Sequence, residues 1–435
     1  MPNMRWLFLF VLFSLAACSG KSLELKVPPA NNDAPPEEGL SWASRAAIDA
    51  FFRGVVWKGD RSGFVAMFAQ DGHLVYGTAA GWANIEARIP MQLDTRMRFA
   101  SMTKPVTAVS AMILVEEGKL GLDDPVAQYV PAFSGLKLAT SHSRNAEGSF
   151  DTKKPNNELL VRHLLMFSSG IGPGIESEPT ELHEYWEANT IYTEDTRSLA
   201  ERIDRMASLP LFEEPGTAWR YGWSADVLAR VVEVAADQPY GDFVEERILQ
   251  PLGMEATAYM QAGDSFEDVA TVYTQDENGD LVMAKPRFDA YWTPGGSGLV
   301  SNAEDYMRFA LMLWNGGEYQ GVRILEPATI AEMRSLHMPE GVLSSIGMEG
   351  LGWGLGVAVA ADSEASMVPD NNGDFWWSGF FGTTFFVSPA TGLVGVLLSQ
   401  NDPKTFDDDG EGGPIHLFIA QAIALAGAPE RAEGD

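Results

Sequence analysis

The ten residues 99–108, FASMTKPVTA, are the most informative part of this 435-residue chain. They place Ser101 three residues before Lys104, and an apolar run follows that ends near Gly118. A helix that begins at Ser101 puts the hydroxyl and the amine on one face, within reach of each other. The helix N-terminus also favours negative charge that develops nearby. The spacing predicts a serine nucleophile served by a lysine, although Ser101 as a simple helix cap with Lys104 in solvent fits the bare motif equally.

Other nucleophile patterns are absent or fail on context. A second S-x-x-K begins at Ser134, but it lies in a Pro/Gly-containing loop with no helix predicted after it. No GxSxG occurs, which excludes the nucleophile elbow of the α/β-hydrolases. The glycines of residues 350–356 lack the GxGxxG spacing and indicate a glycine-rich strand rather than a nucleotide-binding loop.

Composition excludes several classes of protein. Apolar residues make up 46% of the chain, which indicates a globular protein with a large core. Sixty acidic residues against 30 basic ones give a formal charge of −30, so a nucleic-acid partner is not expected. One cysteine excludes an internal disulfide and cysteine-based zinc sites, and the six histidines form no HExxH. Nothing in the sequence requires a metal or another cofactor.

The N-terminus has the pattern of an export signal. Arg5 precedes an apolar run of about ten residues, too short for a stable transmembrane helix. Leu15-Ala16-Ala17-Cys18 resembles the lipobox of bacterial lipoproteins, which predicts a signal peptide over residues 1–17 and a lipidated Cys18. An ordinary signal peptide with a chance cysteine is the alternative. Ser19 favours the outer membrane, facing the periplasm. We interpret residues 18–40 as a tether and residues 428–435 as a loose tail.

The pattern of residues 41–427 predicts an α+β unit. Asp71-Gly72 divides two apolar runs within residues 63–77, a strong hairpin signal, and a second hairpin is predicted over residues 383–398. Helices at about 41–53 and 414–426 accompany these hairpins, which suggests helices packed on an antiparallel sheet. Residues 122–275 predict a mostly helical lobe, with the site between lobe and sheet. Its expected helices are 159–166, 196–206, 224–236 and 240–249.

The order of motifs resembles the class C β-lactamase-like serine hydrolases, which include family VIII carboxylesterases and relatives of penicillin-binding proteins. The resemblance runs over about residues 45–400 and implies the β-lactamase/transpeptidase-like fold. Its motifs, beside residues 99–108, are residues 120–126 (LGLDDPV), residues 162–170, Pro215-Gly216 before Tyr221, residues 251–254 (PLGM), residues 296–301 (GSGLVS) and Trp377-Ser378-Gly379.

The resemblance implies roles for particular residues. Ser101 is then the nucleophile. Tyr221 precedes the predicted helix 224–236, for which Ser224 is the expected cap, and is then the tyrosine of the second motif. Taken alone, Tyr221 would be interpreted as a core aromatic. Trp223 stands where the family often has a substrate-binding asparagine. A free lysine has a pKa near 10.4, so either Lys104 acts as a base with a lowered pKa or it stays charged and stabilises a Tyr221 phenolate. The sequence leaves both routes to the acyl-enzyme open.

The resemblance also implies an oxyanion hole and a substrate class. Its donors are the backbone N–H groups of Ser101 and Phe380. Trp377, Ser378 and Gly379 replace the Lys-Thr-Gly of β-lactamases, so no lysine is present to hold a substrate carboxylate. This favours esters as substrates. Aromatic residues around this motif can form an apolar wall for the ester or part of the sheet core; they are Trp376, Trp377, Phe380, Phe381, Phe385 and Phe386.

Two alternatives to an esterase remain. The first is a β-lactamase or D-Ala peptidase related to penicillin-binding proteins, acting on an amide. The second is an inactive relative that binds peptidoglycan fragments or a protein partner, which the presence of Ser101, Lys104 and Tyr221 argues against. The sequence gives no indication of acyl length or oligomeric state.

Overall fold

A computed structural model of the chain describes residues 40–174, 179–190, 196–285, 289–339, 342–343, 348–366, 368, 370–403 and 415–428. The predicted signal peptide, Cys18, the tether up to residue 39 and the tail from residue 429 lie outside the described residues. In the described part of the chain, no helix has the length and apolar character needed to cross a membrane.

The α-helices are spread along the whole of the described chain. Their bounds are α1 Trp42–Lys58, α2 Thr103–Glu116, α3 Val126–Tyr129, α4 Val161–Leu165, α5 Glu181–Asn189, α6 Leu199–Ala207, α7 Ser224–Ala236, α8 Tyr240–Val244, α9 Gln250–Leu252, α10 Ala303–Trp314, α11 Pro327–Met333 and α12 Ile415–Gly427. Short 3₁₀ turns over Ala100–Met102 and Pro131–Gly135, and a π-helical turn over Glu245–Leu249, complete the helical structure of the described residues.

The strands lie mainly at the two ends of the chain. Their bounds are β1 Gly63–Gln70, β2 His73–Asn84, β3 Ile89–Pro90, β4 Met97–Arg98, β5 Leu138–Ala139, β6 Thr152–Lys153, β7 Ala258–Tyr259, β8 Tyr273–Gln275, β9 Leu281–Met283, β10 Leu299–Ser301, β11 Glu318–Tyr319, β12 Val322–Arg323, β13 Leu351–Trp353, β14 Ala358–Ala360, β15 Phe375–Gly379, β16 Thr383–Ser388 and β17 Leu393–Leu398.

One antiparallel sheet joins the two ends of the chain. In the described residues its strand order is β13-β14-β15-β16-β17-β1-β2-β3. Both predicted hairpins are confirmed: β1 and β2 turn at Asp71-Gly72, where φ is 50° and 84°, and β16 pairs with β17. Because β17 also pairs with β1, with Val65 opposite Leu398, the first and last strands form the centre of the sheet.

The two faces of the sheet carry different helices. On one face, Phe52 of α1 stacks on Phe64 of β1 at 4.5 Å, and Phe418 of α12 meets the edge of Trp376 at 5.5 Å. On the other face, Tyr306 of α10 packs against Phe385 at 5.4 Å and against Phe99, next to the predicted nucleophile, at 5.1 Å. Strand alternation sends successive side chains to these opposite faces. The sheet therefore separates α1 and α12 from the candidate site.

The fold is the predicted α+β arrangement of an antiparallel sheet flanked by helices. Between residues 122 and 275, helices α3 to α9 lie among short strand pairs that the sequence did not predict, β5 with β6 and the beginning of the β8–β9 pair. A small separate sheet, β4-β10-β7, sits beside the start of α2. The pairing of β10 with β4 brings residues 299–301 against the segment that leads into Ser101.

Candidate active site

Ser101 lies in a tight turn rather than in the helix that follows it. The 3₁₀ turn Ala100–Met102 precedes α2, so the helix begins two residues later than predicted. Ala100 has φ of 45°, a left-handed conformation that is uncommon for a non-glycine residue and often marks functional sites. The Tyr306 hydroxyl donates to the Met102 carbonyl at 2.7 Å. This hydrogen bond from α10 holds the turn, which places Ser101 directly before the N-terminus of α2.

Lys104 is the nearest polar partner of the Ser101 hydroxyl. Its Nζ lies 2.8 Å from Ser101 Oγ and 2.8 Å from the Gly296 carbonyl oxygen. The side chain is only 8% exposed, because it extends from a helix that is buried on nearly every side. A buried amine held at two points has little freedom, so the structure keeps it on the nucleophile.

Residues 295 and 296 lie between α2 and α7 and hold both helices. Thr107 of α2 donates to the Gly295 carbonyl at 2.6 Å, and its oxygen also lies 2.6 Å from the Tyr240 hydroxyl. A Cβ at Gly295 would overlap the carbonyl oxygen of Ala225, so only glycine allows this close approach. The sequence signal is Gly295, which directly precedes the family motif of residues 296–301 and is not part of it.

Asp226 is a buried carboxylate at the site that sequence reasoning missed. It lies in the first turn of α7, is 3% exposed, and accepts from the Gly296 N–H at 3.2 Å. Burial raises the pKa of the Asp226 carboxyl, while the positive charge of Lys104 and the Gly296 N–H act in the opposite direction. Lys104 and Asp226 therefore both bond to the backbone of Gly296: Lys104 donates to its carbonyl oxygen, and Asp226 accepts from its N–H.

Tyr221 stands just before α7 in a cluster of aromatic rings. Its ring stacks on Phe167 at 5.6 Å and on Trp219 at 5.8 Å, and Lys104 Nζ lies 4.6 Å from the ring centroid. Its hydroxyl forms no hydrogen bond with any described residue, so it is available to a substrate or water. Ser224 is not the predicted cap: Trp223 holds that position, and Ser224 Oγ instead lies 2.7 Å from Ser169 Oγ.

The third motif reaches the nucleophile turn through its glycine. A Cβ at Gly379, the last residue of β15, would overlap the carbonyl oxygen of Phe99, and Thr383 donates to the same carbonyl at 3.1 Å. Phe380 consequently follows directly beside the turn that carries Ser101. The two expected oxyanion donors, the N–H groups of Ser101 and Phe380, therefore belong to neighbouring segments.

Trp377 is buried beside Tyr221, and most of the expected aromatic wall is also core. The Trp377 ring lies 5.5 Å from that of Tyr221 and meets Trp353 edge-to-face at 4.7 Å. Ser378 bonds to Thr384 at 3.2 Å within the sheet. Of the other aromatic residues around the motif, Phe380 is partly exposed and four are buried, namely Trp376, Phe381, Phe385 and Phe386.

Trp223, the second expected substrate contact, is partly exposed and packs close to Gly172. The guanidinium of Arg202 lies 5.9 Å from its ring. The described residues contain no group of three or more His, Cys, Asp or Glu side chains suited to a metal ion. The site that the structure assembles is a serine, a lysine, a tyrosine and a buried carboxylate.

Comparison with protein families and curated proteins gives long matches. The family model described as Beta-lactamase matches residues 48–417. Protein Rv1367c of Mycobacterium tuberculosis is 32% identical over 397 residues, which cover 88% of this chain and 94% of that protein. Esterase EstB of Burkholderia gladioli is 31% identical over 425 residues, which cover 89% of this chain and 97% of the esterase.

Solved structures share the architecture over most of the chain. EstCE1, described as a hydrolase with promiscuous acyltransferase activity, has 26% identity and a TM-score of 0.71, covering 88% of this chain and 99% of its own. Unliganded simvastatin synthase LovD of Aspergillus terreus has 22% identity and a TM-score of 0.74, covering 88% and 98%. The second likeness is one of fold alone.

Proposed function

Because this chain belongs to the beta-lactamase family, we propose that it hydrolyses carboxylic esters through an acyl-enzyme on Ser101. The observation that carries this proposal is the 2.8 Å contact between Lys104 Nζ and Ser101 Oγ in a buried setting. A serine hydroxyl is a weak nucleophile until a neighbouring group takes its proton. The chain is a serine hydrolase by family, and its own contacts supply the activating group.

The first step is attack by Ser101 on the ester carbonyl. Ser101 Oγ forms a bond to the carbonyl carbon as its proton passes to Lys104 in its neutral amine form, the group that it already contacts, and the carbonyl oxygen becomes an oxyanion. The backbone N–H groups of Ser101 and Phe380 receive that oxyanion. Loss of one such donor typically costs about 10²–10³ in rate.

Collapse of this intermediate breaks the bond to the alcohol and leaves the acyl group on Ser101. The departing alkoxide must receive a proton, and the Tyr221 hydroxyl, beside Lys104 and without a hydrogen-bond partner among the described residues, is placed to supply it. Water then attacks the acyl-enzyme by the reverse proton route and releases the carboxylic acid. Lys104 is the favoured first base because it, and not Tyr221, contacts Ser101.

The third motif supports an ester rather than a β-lactam or peptide as substrate. Trp377 offers an aromatic ring where a lysine would hold a carboxylate. Esterase EstB, which matches 89% of this chain, is itself named an esterase. A neutral ester is therefore the substrate class that fits best.

Parallel assays on a short-chain nitrophenyl ester and a chromogenic cephalosporin test the substrate class. We expect turnover of the ester, lost in Ser101→Ala, and at most weak turnover of the cephalosporin. Robust cephalosporin turnover with no ester turnover would contradict the proposal. A fluorophosphonate probe tests the inactive alternative: labelling that disappears in Ser101→Ala supports an enzyme.

For location, we propose a lipid anchor on Cys18 that holds the enzyme at the outer membrane, facing the periplasm. The support is the lipobox-like Leu15-Ala16-Ala17-Cys18 after a short apolar run. Membrane fractionation tests this proposal. We expect wild type in the membrane fraction and Cys18→Ser in the soluble fraction; equal distribution of the two would contradict it.

A further inference from the structure

The outer face of α1 is apolar and lacks acidic residues. Trp42 is 83% exposed and Trp57 is 72% exposed. They are 15 residues apart, so on an α-helix they project within about 60° of each other and about 22 Å apart along its axis. The other exposed residues of α1 are Ala43, Ala46, Ala47, Ala50, Arg53 and Lys58. An exposed face with two tryptophans, four alanines and two bases is unusual in a chain with 60 acidic residues.

The one acidic residue of α1 does not belong to this face. Asp49 accepts hydrogen bonds from the Tyr76 hydroxyl at 2.5 Å and the Thr78 hydroxyl at 2.7 Å, both on β2. Its charge is therefore directed to the sheet. The charge that α1 presents outward is positive, from Arg53 and Lys58, on a molecule whose formal charge is −30.

The neighbouring helix continues the apolar surface. α12 packs beside α1 on the same face of the sheet and contains no Asp, Glu, Lys or Arg. Several of its apolar side chains are only partly buried, namely Phe418, Ile419, Ala422, Ile423 and Leu425. We call the exposed residues of α1 together with these residues of α12 the terminal-helix face.

We propose that the terminal-helix face docks on a lipid bilayer with anionic headgroups. Tryptophan is enriched at membrane interfaces, where its ring meets the acyl boundary and its N–H stays polar. Arg53 and Lys58 add attraction to an anionic surface, because screening by salt lets the groups nearest the bilayer dominate the interaction. This occupant also fits the chain path, since Cys18 is 24 residues before Trp42, a span of at most about 85 Å.

Docking by this face would set the orientation of the enzyme. Trp376 contacts α12 whereas the adjacent Trp377 contacts Tyr221, so the terminal-helix face and the active site lie on opposite sides of the sheet. With α1 against lipid, the catalytic side is directed away from the bilayer. The segment of residues 18–40 then links an anchor to a protein that rests on the membrane, rather than holding it away.

A single fluorophore on the terminal-helix face tests this proposal without the lipid anchor. The full chain with Cys18→Ser has no cysteine, so Ala46→Cys can be labelled alone with an environment-sensitive dye. The matched control is Met283→Cys, which is 61% exposed on β9. Vesicles of phosphatidylglycerol should shift the emission of the dye at position 46 to the blue and leave the dye at position 283 unchanged.

Two further pairs of substitutions separate the apolar from the electrostatic contribution to lipid binding. Adding Trp42→Ala and Trp57→Ala should raise the lipid concentration needed for half of the shift by about tenfold or more. Adding Arg53→Glu and Lys58→Glu should weaken binding to phosphatidylglycerol but not to phosphatidylcholine. Unchanged ester turnover shows that these variants are folded, since none of the four residues belongs to the active site.

Three results would overturn the proposal. The dye at position 46 does not respond to vesicles, or it responds no more than the dye at position 283. The tryptophan variant binds as well as its parent. The dye responds to protein concentration in the absence of lipid, which would assign the terminal-helix face to a second copy of the chain.

Discussion

Lys104 is a buried amine whose surroundings determine what it can do. Its Nζ contacts Ser101 Oγ and the Gly296 carbonyl, and the carboxylate of Asp226 is held on the N–H of the same glycine. Buried charged groups are costly unless they are paired and hydrogen-bonded. The Asp226 carboxylate therefore holds Gly296 in place, and the Gly296 carbonyl in turn holds Lys104. Asp226 is thus a positioning residue.

Replacing Asp226 tests that role. Asp226→Asn keeps an oxygen for the Gly296 N–H but removes the negative charge near Lys104, so kcat for ester hydrolysis should fall about 10- to 100-fold with a smaller change in KM. Steady-state kinetics on a nitrophenyl ester measure both constants. Glu233→Gln, on the same helix but bonded to Tyr240 and Arg230, is the control and should retain kcat. An unchanged kcat in Asp226→Asn would show that Asp226 does not position Lys104 for the reaction.

Sequence patterns predicted part of this residue-scale picture. The spacing of Ser101 and Lys104 placed the amine on the hydroxyl, and the structure shows that contact. Asp226 gave no distinguishing signal, because a carboxylate in the first turn of a helix is also a common partner of the helix dipole. Which of the two roles applies depends on residue 296, which is 70 positions away in the chain.

The segment of Gly295 and Gly296 acts as a thin spacer between two helices. Thr107 on α2 bonds to the Gly295 carbonyl, and the Gly295 Cα lies against the backbone of α7 at Ala225. The distance between the nucleophile helix and the helix that follows Tyr221 therefore depends on the absence of a side chain at one position.

A methyl group at position 295 should separate the two helices. Gly295→Ala forces a shift at a backbone oxygen, so the free energy of unfolding should fall by about 1–3 kcal/mol, and ester turnover should fall with it. Gly54→Ala is the matched control: it lies within α1, has no atom within 4 Å of the new Cβ, and should be neutral or slightly stabilising. Denaturant unfolding compares the two. Equal stability of both variants would show that the backbone at residues 295 and 225 can shift at no cost to make room for a side chain.

Long, strongly patterned elements could be predicted from the sequence, whereas short ones could not. The hairpins at both ends and helix α7 were confirmed because turn residues or an apolar period specify them locally. Helix α1 continues to Lys58, beyond the predicted end at residue 53, and ends at Gly59 with φ of 82°. Strand pairs of two or three residues, such as β5 with β6, depend on tertiary contacts and leave no periodic signal.

At the scale of the whole molecule, the excess of acid is not confined to the surface. Asp370 and Asp374 lie before β15, and each has one carboxylate oxygen that is buried without a hydrogen-bond partner among the described residues. Burial, with the charge of Asp374, raises the pKa of Asp370 to about 7. Burial also raises the pKa of Asp374 to about 6, although Asn371 donates to it.

These carboxyl groups make stability depend on pH in a stated direction. A carboxyl whose pKa is raised by folding holds its proton more tightly when folded, so its stabilising effect is full below about pH 4 and is lost as pH rises through 6 to 7. The double variant Asp370→Asn/Asp374→Asn should therefore gain several kcal/mol, at most about 7 kcal/mol, over wild type at pH 8 relative to pH 4. Denaturant unfolding at the two pH values measures this difference. A pH-independent difference between the two proteins would contradict the assignment.

The net charge and the length of the chain did not predict where the charges lie or how the strands are ordered. The formal charge of −30 describes neither the two buried aspartates nor the basic outer face of α1, because net charge does not report where charges lie. The pairing of β1 with β17 joins residues more than 300 positions apart, which the two separate hairpin signals did not require. The sequence predicted the class of fold, and the strand order came from the structure.

The central claim is that Ser101 carries the acyl group during ester hydrolysis. Intact-protein mass spectrometry of acid-quenched turnover of a nitrophenyl butyrate ester tests it most directly. We predict a gain of one butyryl group that peptide mapping places on Ser101 and that Ser101→Ala abolishes. Steady turnover with the acyl group on another residue, or turnover that survives in Ser101→Ala, would contradict the account.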